Sequence, residues 1–155
     1  MSVRLTPEEI DEFLTGGHTL LLGTIRKSGE PFITPLWYVY MDGAFYFRTL
    51  ERSAKVGHIR RDPRVCCTVE TGDAWIDLKT VIANCDAEFI TGEDEIARYT
   101  EASSAKYKGF RRQPSGLPQA TERHYSQPWV YIRCTPRQGE IRSWYNRKLM
   151  PADEA

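Results

Sequence analysis

Three consecutive strand patterns joined only by tight turns restrict this chain more than any other feature. His18 to Arg26 reads as a strand, Lys27-Ser28-Gly29-Glu30 as a turn, and Pro31 to Met41 as a second strand. Asp42-Gly43 is a two-residue hairpin signal, since both residues tolerate the positive φ of a type I′ turn, and Ala44 to Thr49 follows as strand three. Parallel neighbours need a crossover, usually a helix, between them. None fits here, so the sheet is predicted antiparallel.

The other elements extend this plan. Thr6-Pro7-Glu8-Glu9 opens a helix, with Thr6 as N-cap and Glu9 closing a capping box, and Gly16-Gly17 ends it. A short helix from Ser53 to Arg61 stops at Asp62-Pro63, and Arg64 to Glu70 forms a fourth strand. Ala74 to Ile90 is too long for one ordinary strand; it is either a pair split near Lys79 or Asn84, or one strongly bent strand. Thr91 to Asp94 caps a helix that runs to about Lys108, with Ile96, Tyr99 and Tyr107 on its inner side. Phe110 to Gln127, with Pro114 and Pro118, reads as a long loop. Trp129 to Thr135 and Glu140 to Trp144 read as a final strand pair joined by a turn at Pro136 to Gly139, with a frayed tail after Lys148. The predicted fold is mainly β: six or seven antiparallel strands closed into a barrel, which removes exposed edges, with peripheral helices. At 155 residues, positions 1–155 are expected to form one domain.

The formal net charge is zero, so no overall field recruits nucleic acid or an anionic membrane, and any anion site must be local. Cys66, Cys67, Cys85 and Cys134 form no C-x-x-C pair and read as free, mostly buried thiols of a reducing compartment. No leader-like apolar segment or membrane-length run is present in the sequence, and a cytoplasmic protein is expected.

The local anion candidate lies where strand three meets the short helix. Arg48, Thr49, Arg52, Ser53 and Lys55 bring cations and hydroxyls to a helix start, a place that already favours anions, and Ser53 is a good N-cap. The same residues are equally those of a structural cap flanked by solvated charges. Trp37 is either a planar-ligand contact or core, and Pro35 within a strand signals a missing ladder bond or a bulge. His58 and His124 have no partner at metal-ligand or catalytic spacing, so no catalytic residue and no metal site are assigned.

The order of parts resembles the pyridoxamine 5′-phosphate oxidase-like split β-barrels, which bind FMN or the actinobacterial deazaflavin coenzyme F-420. The matching pieces are Leu22-Gly23-Thr24-Ile25, Gly29-Glu30-Pro31, Thr34-Pro35-Leu36-Trp37-Tyr38, Asp42-Gly43, Arg52-Ser53-Ala54-Lys55 and Ile59 to Val65. They cover the first half of the chain; the second half matches in layout only. The resemblance implies that Lys55, with Thr49, Arg52 and Ser53, holds the cofactor phosphate, and that Thr34, Pro35, Leu36 and Trp37 run along the ring. It also implies a homodimer with shared sites, in which Trp144 approaches the ring or packs in the interface. Two departures count against vitamin B6 chemistry: the tail Tyr145-Asn146-Arg147-Lys148-Leu149 lacks a His, and Leu36 to Val39 carry no basic residue. The uncharged second strand and Arg-rich helix look more like the deazaflavin subgroup. The resemblance thus implies an oxidoreductase passing hydride between flavin or deazaflavin and a small organic acceptor. The alternative is a non-catalytic binder of flavin, haem or a tetrapyrrole; haem would need His18, His58 or His124 as an axial ligand.

Overall fold

Seven strands form one antiparallel sheet whose two edges belong to a single stretch of chain. The computed structural model describes residues 2–111 and 116–151. Helix α1 (Pro7–Gly16) precedes β1 (Thr19–Ile25), β2 (Pro31–Trp37), β3 (Val39–Met41) and β4 (Ala44–Leu50). Helix α2 (Ala54–Arg61) leads to β5 (Arg64–Thr71), a 3-10 turn at Trp75–Asp77, β6 (Lys79–Ile90) and helix α3 (Glu93–Lys106). Helix α4 (Gln119–Tyr125) then precedes β7 (Trp129–Tyr145) and a last 3-10 turn at Asn146–Leu149. The strand order is β2-β1-β5-β6-β7-β4-β3.

That order explains how the barrel closes. β2 and β3 are the two sheet edges, yet only Tyr38 separates them. The run from Pro31 to Met41, one strand by its sequence pattern, breaks there: β2 pairs with β1, and β3 with β4. The sheet curls until its edges meet at one residue, giving a split barrel. A break inside a buried segment frees backbone polar groups that need partners. Tyr107, from the end of α3, supplies them: its hydroxyl accepts from the Tyr38 N–H at 3.0 Å. Its single proton is shared between the carbonyls of His18 at 2.7 Å and Tyr38 at 2.9 Å.

One open alternative is decided and one predicted strand pair is corrected. Ala74 to Ile90 follows the bent-strand alternative after its 3-10 turn, with an irregular register between Ala83 and Cys85. The predicted hairpin of Trp129–Thr135 with Glu140–Trp144 does not form. Both halves belong to β7 and pair with β6, from Ile90↔Tyr131 through Cys85↔Pro136 to Ala83↔Ile141 and Lys79↔Tyr145. The long β6 is a continuous template, so the turn-like residues 137–140 bulge out instead of reversing the chain. Gly139 takes φ 74°, and Asn84 Nδ2 donates to Glu140 Oε2 at 3.0 Å to hold the bulge. The predicted loop 110–127 contains α4, while residues 112–115, Pro114 among them, lie outside the described residues. The tail is held to Leu149 rather than frayed from Lys148: Lys148 pairs with Glu9 at 2.6 Å, and Asn146 Nδ2 donates to the Trp75 carbonyl at 2.6 Å. Residues 152–155 lie outside the described part.

Other local signals form as their chemistry requires. Thr6 and Glu9 make the capping box of α1, and Asp42-Gly43 turns the β3–β4 hairpin with φ 52° and 72°. The barrel interior is filled by side chains such as Leu20, Leu22, Phe45, Phe47 and Ile132. A second cluster joins Val39, Ala44 and Tyr46 to Tyr99 of α3, so β4 is covered on both faces and is buried along nearly its whole length. Cys67, Cys85 and Cys134 lie buried inside, Cys66 faces the other way, and all four thiols are free. Among the described residues no helix is long and apolar enough to cross a membrane.

Candidate functional site

The turn from β4 into α2 builds a cavity around unneutralised cations. Ser53 occupies the N-cap position of α2 with extended backbone angles, but its hydroxyl makes no capping bond, contrary to the expectation for this residue. Its Oγ lies 3.3 Å from Thr49 Oγ1, which also accepts from Lys55 Nζ at 3.4 Å. The helix start is therefore left open. The N–H groups of Ala54 and Lys55 have no acceptor among the described residues, and they point from the positive end of the helix dipole.

Thr49, Arg52, Ser53, Lys55, His124 and Trp129 line this cavity, whose volume is about 440 Å³. No carboxylate lines it, and among the described residues none lies within 4.0 Å of Arg48, Arg52 or Lys55. The nearby acid, Glu51, is taken by Arg60 at 3.0 Å. Burial pushes the Lys55 amine below its ordinary pKa. A desolvated amine, a guanidinium without an ion pair among the described residues, two hydroxyls and two open N–H groups are a donor set that could hold an anion. Because the donor set includes oxygen-seeking N–H groups of a helix start, it fits a phosphate ester.

A second cavity of about 370 Å³ adjoins the first, and Tyr125 and Trp129 line both. Trp37, Arg48, Tyr99 and Arg111 form its other walls. The Arg48 guanidinium lies over the Trp129 ring at 4.5 Å, and Trp37 stacks on Tyr107 with centroids 4.3 Å apart and planes within 2°. The result is an aromatic compartment beside a cation-rich one.

The residues expected at the site divide accordingly. Thr49, Arg52, Ser53 and Lys55 share the first cavity, while Arg48 and Trp37 share the second. Thr34, Pro35 and Leu36 line neither. On edge strand β2, Thr34 and Leu36 sit opposite the buried Leu22 and Leu20 and turn toward the barrel interior, where Thr34 Oγ1 finds no partner. Pro35 causes no bulge: the register with β1 runs unbroken, and an edge strand tolerates the lost donor. Trp144 pairs with Thr80, about 33 Å of strand path from Ile90 beside Tyr131, so the same chain does not bring it to either cavity.

The sequence reading weighed His124 only as an unpartnered histidine or a haem ligand, and it placed neither Tyr125 nor Trp129 at the site. The signal available was a His-Tyr pair four residues ahead of a Trp that begins a strand; reading the segment as loop concealed it. The other histidines are engaged elsewhere. His58 Nδ1 is 2.9 Å from Thr24 Oγ1, and His18 packs against Trp37, Tyr107 and Phe110. Burial, with Arg61 and Arg26 nearby, lowers the His58 pKa.

Comparison with known proteins agrees with this architecture. The conserved hypothetical protein Rv2991 from Mycobacterium tuberculosis is 28% identical, with a TM-score of 0.79 over 97% of this chain and 92% of that one. A solved structure of an F-420 reductase is 20% identical, with a TM-score of 0.64 over 88% of this chain and 98% of that one. HutZ, the haem storage protein from Vibrio cholerae, is 17% identical, with a TM-score of 0.63 over 93% and 99% of the two chains. At such low identity the last two share the fold alone. No curated protein matches the chain. A family model described as pyridoxamine 5′-phosphate oxidase matches residues 6–140, well past the half that the motifs cover. A split barrel closed at Tyr38 and a match of that length lead to one conclusion: the chain belongs to the pyridoxamine 5′-phosphate oxidase family.

Proposed function

We propose that the protein is an oxidoreductase that holds a phosphorylated flavin or deazaflavin and passes hydride between it and a small organic acceptor. The observation that carries this reading is the open start of α2. There Lys55, Arg52, Ser53 and Thr49 face a cavity with no carboxylate, and the Ala54 and Lys55 N–H groups lack acceptors. Cofactor of this class, when bound, itself supplies the hydride chemistry. The chain's part is binding and orientation. Lys55 and Arg52 neutralise the phosphate, Ser53 and the helix N–H groups fix its oxygens, and Trp37 with the free edge of β2 bounds the ring. Arg48 and Arg111 add cations toward the second cavity, which favours a cofactor or acceptor with further negative charge; the fold shared with an F-420 reductase suits the deazaflavin choice. Pyridoxamine phosphate oxidation is not the proposed reaction, because the tail lacks the His expected of a true oxidase.

The same reading takes the protein as a homodimer with Trp144 entering the partner's site. Its support is an exposed apolar face around Ile25, Pro31, Ile33 and Cys66, on which Ile33 is 65% exposed, and a half-exposed Trp144 far from its own chain's cavities. Light scattering is expected to give a dimer; a monomer that binds cofactor at full affinity overturns this part. A haem-binding role is less well supported. His18 and His58 are packed or hydrogen-bonded elsewhere, and His124 shares its cavity with two cations rather than a ring-shaped apolar slot.

The test is titration of the purified protein with FMN and with the deazaflavin, followed by absorbance and fluorescence. Lys55→Ala is expected to weaken binding by about 1–3 kcal/mol, the scale of a lost charge-assisted hydrogen bond. Failure of the wild type to bind either cofactor, or equal affinity in the variant, refutes the assignment.

A further inference from the structure

We infer that His124 is a third cationic ligand of the anion cavity, carried in by α4, and that it couples cofactor affinity to proton concentration. The inference rests on the phosphate reading of that cavity. The barrel builds most of the cavity: β4 contributes Thr49, the β4–α2 turn Arg52 and Ser53, α2 Lys55, and β7 Trp129. Helix α4 contributes His124 and Tyr125 and has no buried residue of its own. Its aromatic tie to the barrel is Tyr125, stacked on Trp129 at 6.2 Å and 12°. The imidazole of His124 sits edge-on to Tyr125 at 5.2 Å, so the same stack that docks α4 also sets the position of His124.

The electrostatic setting gives this placement a consequence. Arg52 and Lys55 line the same cavity as His124; Gln127 and Trp129, neither charged, line it too, and the Arg48 guanidinium lies over the Trp129 ring. On α4 itself Arg123 precedes it and Glu122 lies two residues back, and neither lines the cavity. Glu51, the acid nearest in sequence to the cavity turn, is held by Arg60. With no carboxylate in the cavity, a proton on His124 faces two cations when the site is empty and a phosphate when it is filled. Anion binding therefore favours proton uptake, and proton uptake favours anion binding, since the linkage is reciprocal. Neutral, the ring still offers one N–H donor; charged, it adds Coulombic attraction. The cofactor is accordingly held more tightly as proton concentration rises.

The experiment measures FMN affinity by fluorescence quenching across about pH 5.5 to 8 for wild type, His124→Gln and Lys55→Ala, with riboflavin as the ligand without phosphate. The phosphate of FMN has its own second pKa near 6, so the wild-type-to-variant ratio is the informative quantity. The side chain of His124 is exposed, and His124→Gln is expected to fold normally. Wild type should bind FMN roughly three- to tenfold more tightly than His124→Gln at the acid end, with the ratio falling toward one at the alkaline end. Riboflavin should show no such ratio. A ratio that stays constant with pH, or that appears equally with riboflavin, overturns the inference. If Lys55→Ala loses affinity while His124→Gln does not, the phosphate reading stands and only the role of His124 falls. If wild type binds no FMN and no deazaflavin, the phosphate reading falls and the inference with it.

Discussion

Removing one oxygen from Tyr107 should loosen the closure of the barrel without altering its packing. In Tyr107→Phe the ring still stacks on Trp37, but the Tyr38 N–H, buried and previously bonded at 3.0 Å, loses its acceptor. The carbonyls of His18 and Tyr38 lose a shared donor at 2.7 and 2.9 Å. An unsatisfied buried donor costs about 1–3 kcal/mol, and the net loss of a donated bond adds about 1, so the variant should be about 2–4 kcal/mol less stable. For a domain of this size that is a fall in Tm of about 4–16 °C. Tyr107→Leu removes the stack as well and leaves a partly filled space, for a total of about 4–5 kcal/mol. Urea unfolding followed by far-UV circular dichroism measures both, and near-UV dichroism separates them: the Trp37 signal should survive in the Phe variant and change in the Leu variant. If Tyr107→Phe lies within about 0.5 kcal/mol of wild type, the strand break at Tyr38 is not held by this hydroxyl and the closure argument fails.

Other expectations follow from single groups. Lys106 Nζ is buried over the Tyr38 ring at 3.9 Å with no hydrogen-bond partner, and burial lowers its pKa to about 8. A lysine depressed in the folded state lends full stability only above its unfolded pKa and loses it as pH falls through the folded value. Lys106→Met should therefore stabilise the protein near pH 7 by roughly 2–3 kcal/mol, and the gain should shrink by about 1 kcal/mol by pH 9. Urea midpoints at the two pH values check this, and a pH-independent difference contradicts it. The Lys55→Ala, His124→Gln and dimer tests given above probe the anion cavity, its proton coupling and its shared interface in turn.

Local chemistry decided much of the architecture before any long-range contact was known. The antiparallel plan follows from tight turns between strands one to three, and the capping box of α1 and the Asp42-Gly43 hairpin follow from residues within four positions of one another. The grouping of Thr49, Arg52, Ser53 and Lys55 was legible for the same reason: a strand end, a turn and the first helical turn keep neighbours in sequence together in space. What the sequence could not decide involves partners far away along the chain. Tyr38 breaks a strand because its two halves find different neighbours and Tyr107, 69 residues on, accepts its N–H. Pro136 to Gly139 looks like a reversal and becomes part of an irregular strand because β6 is long enough to pair with both sides of it. Ser53 looks like a cap and instead leaves the helix start open beside Thr49. His124 looked isolated until α4 docked Tyr125 on Trp129 and brought it into the cavity that Lys55 also lines. Turns and caps are settled by short-range sterics and hydrogen bonds, whereas strand partners and cavity walls depend on which distant surfaces are buried together, and only the folded chain resolves that competition.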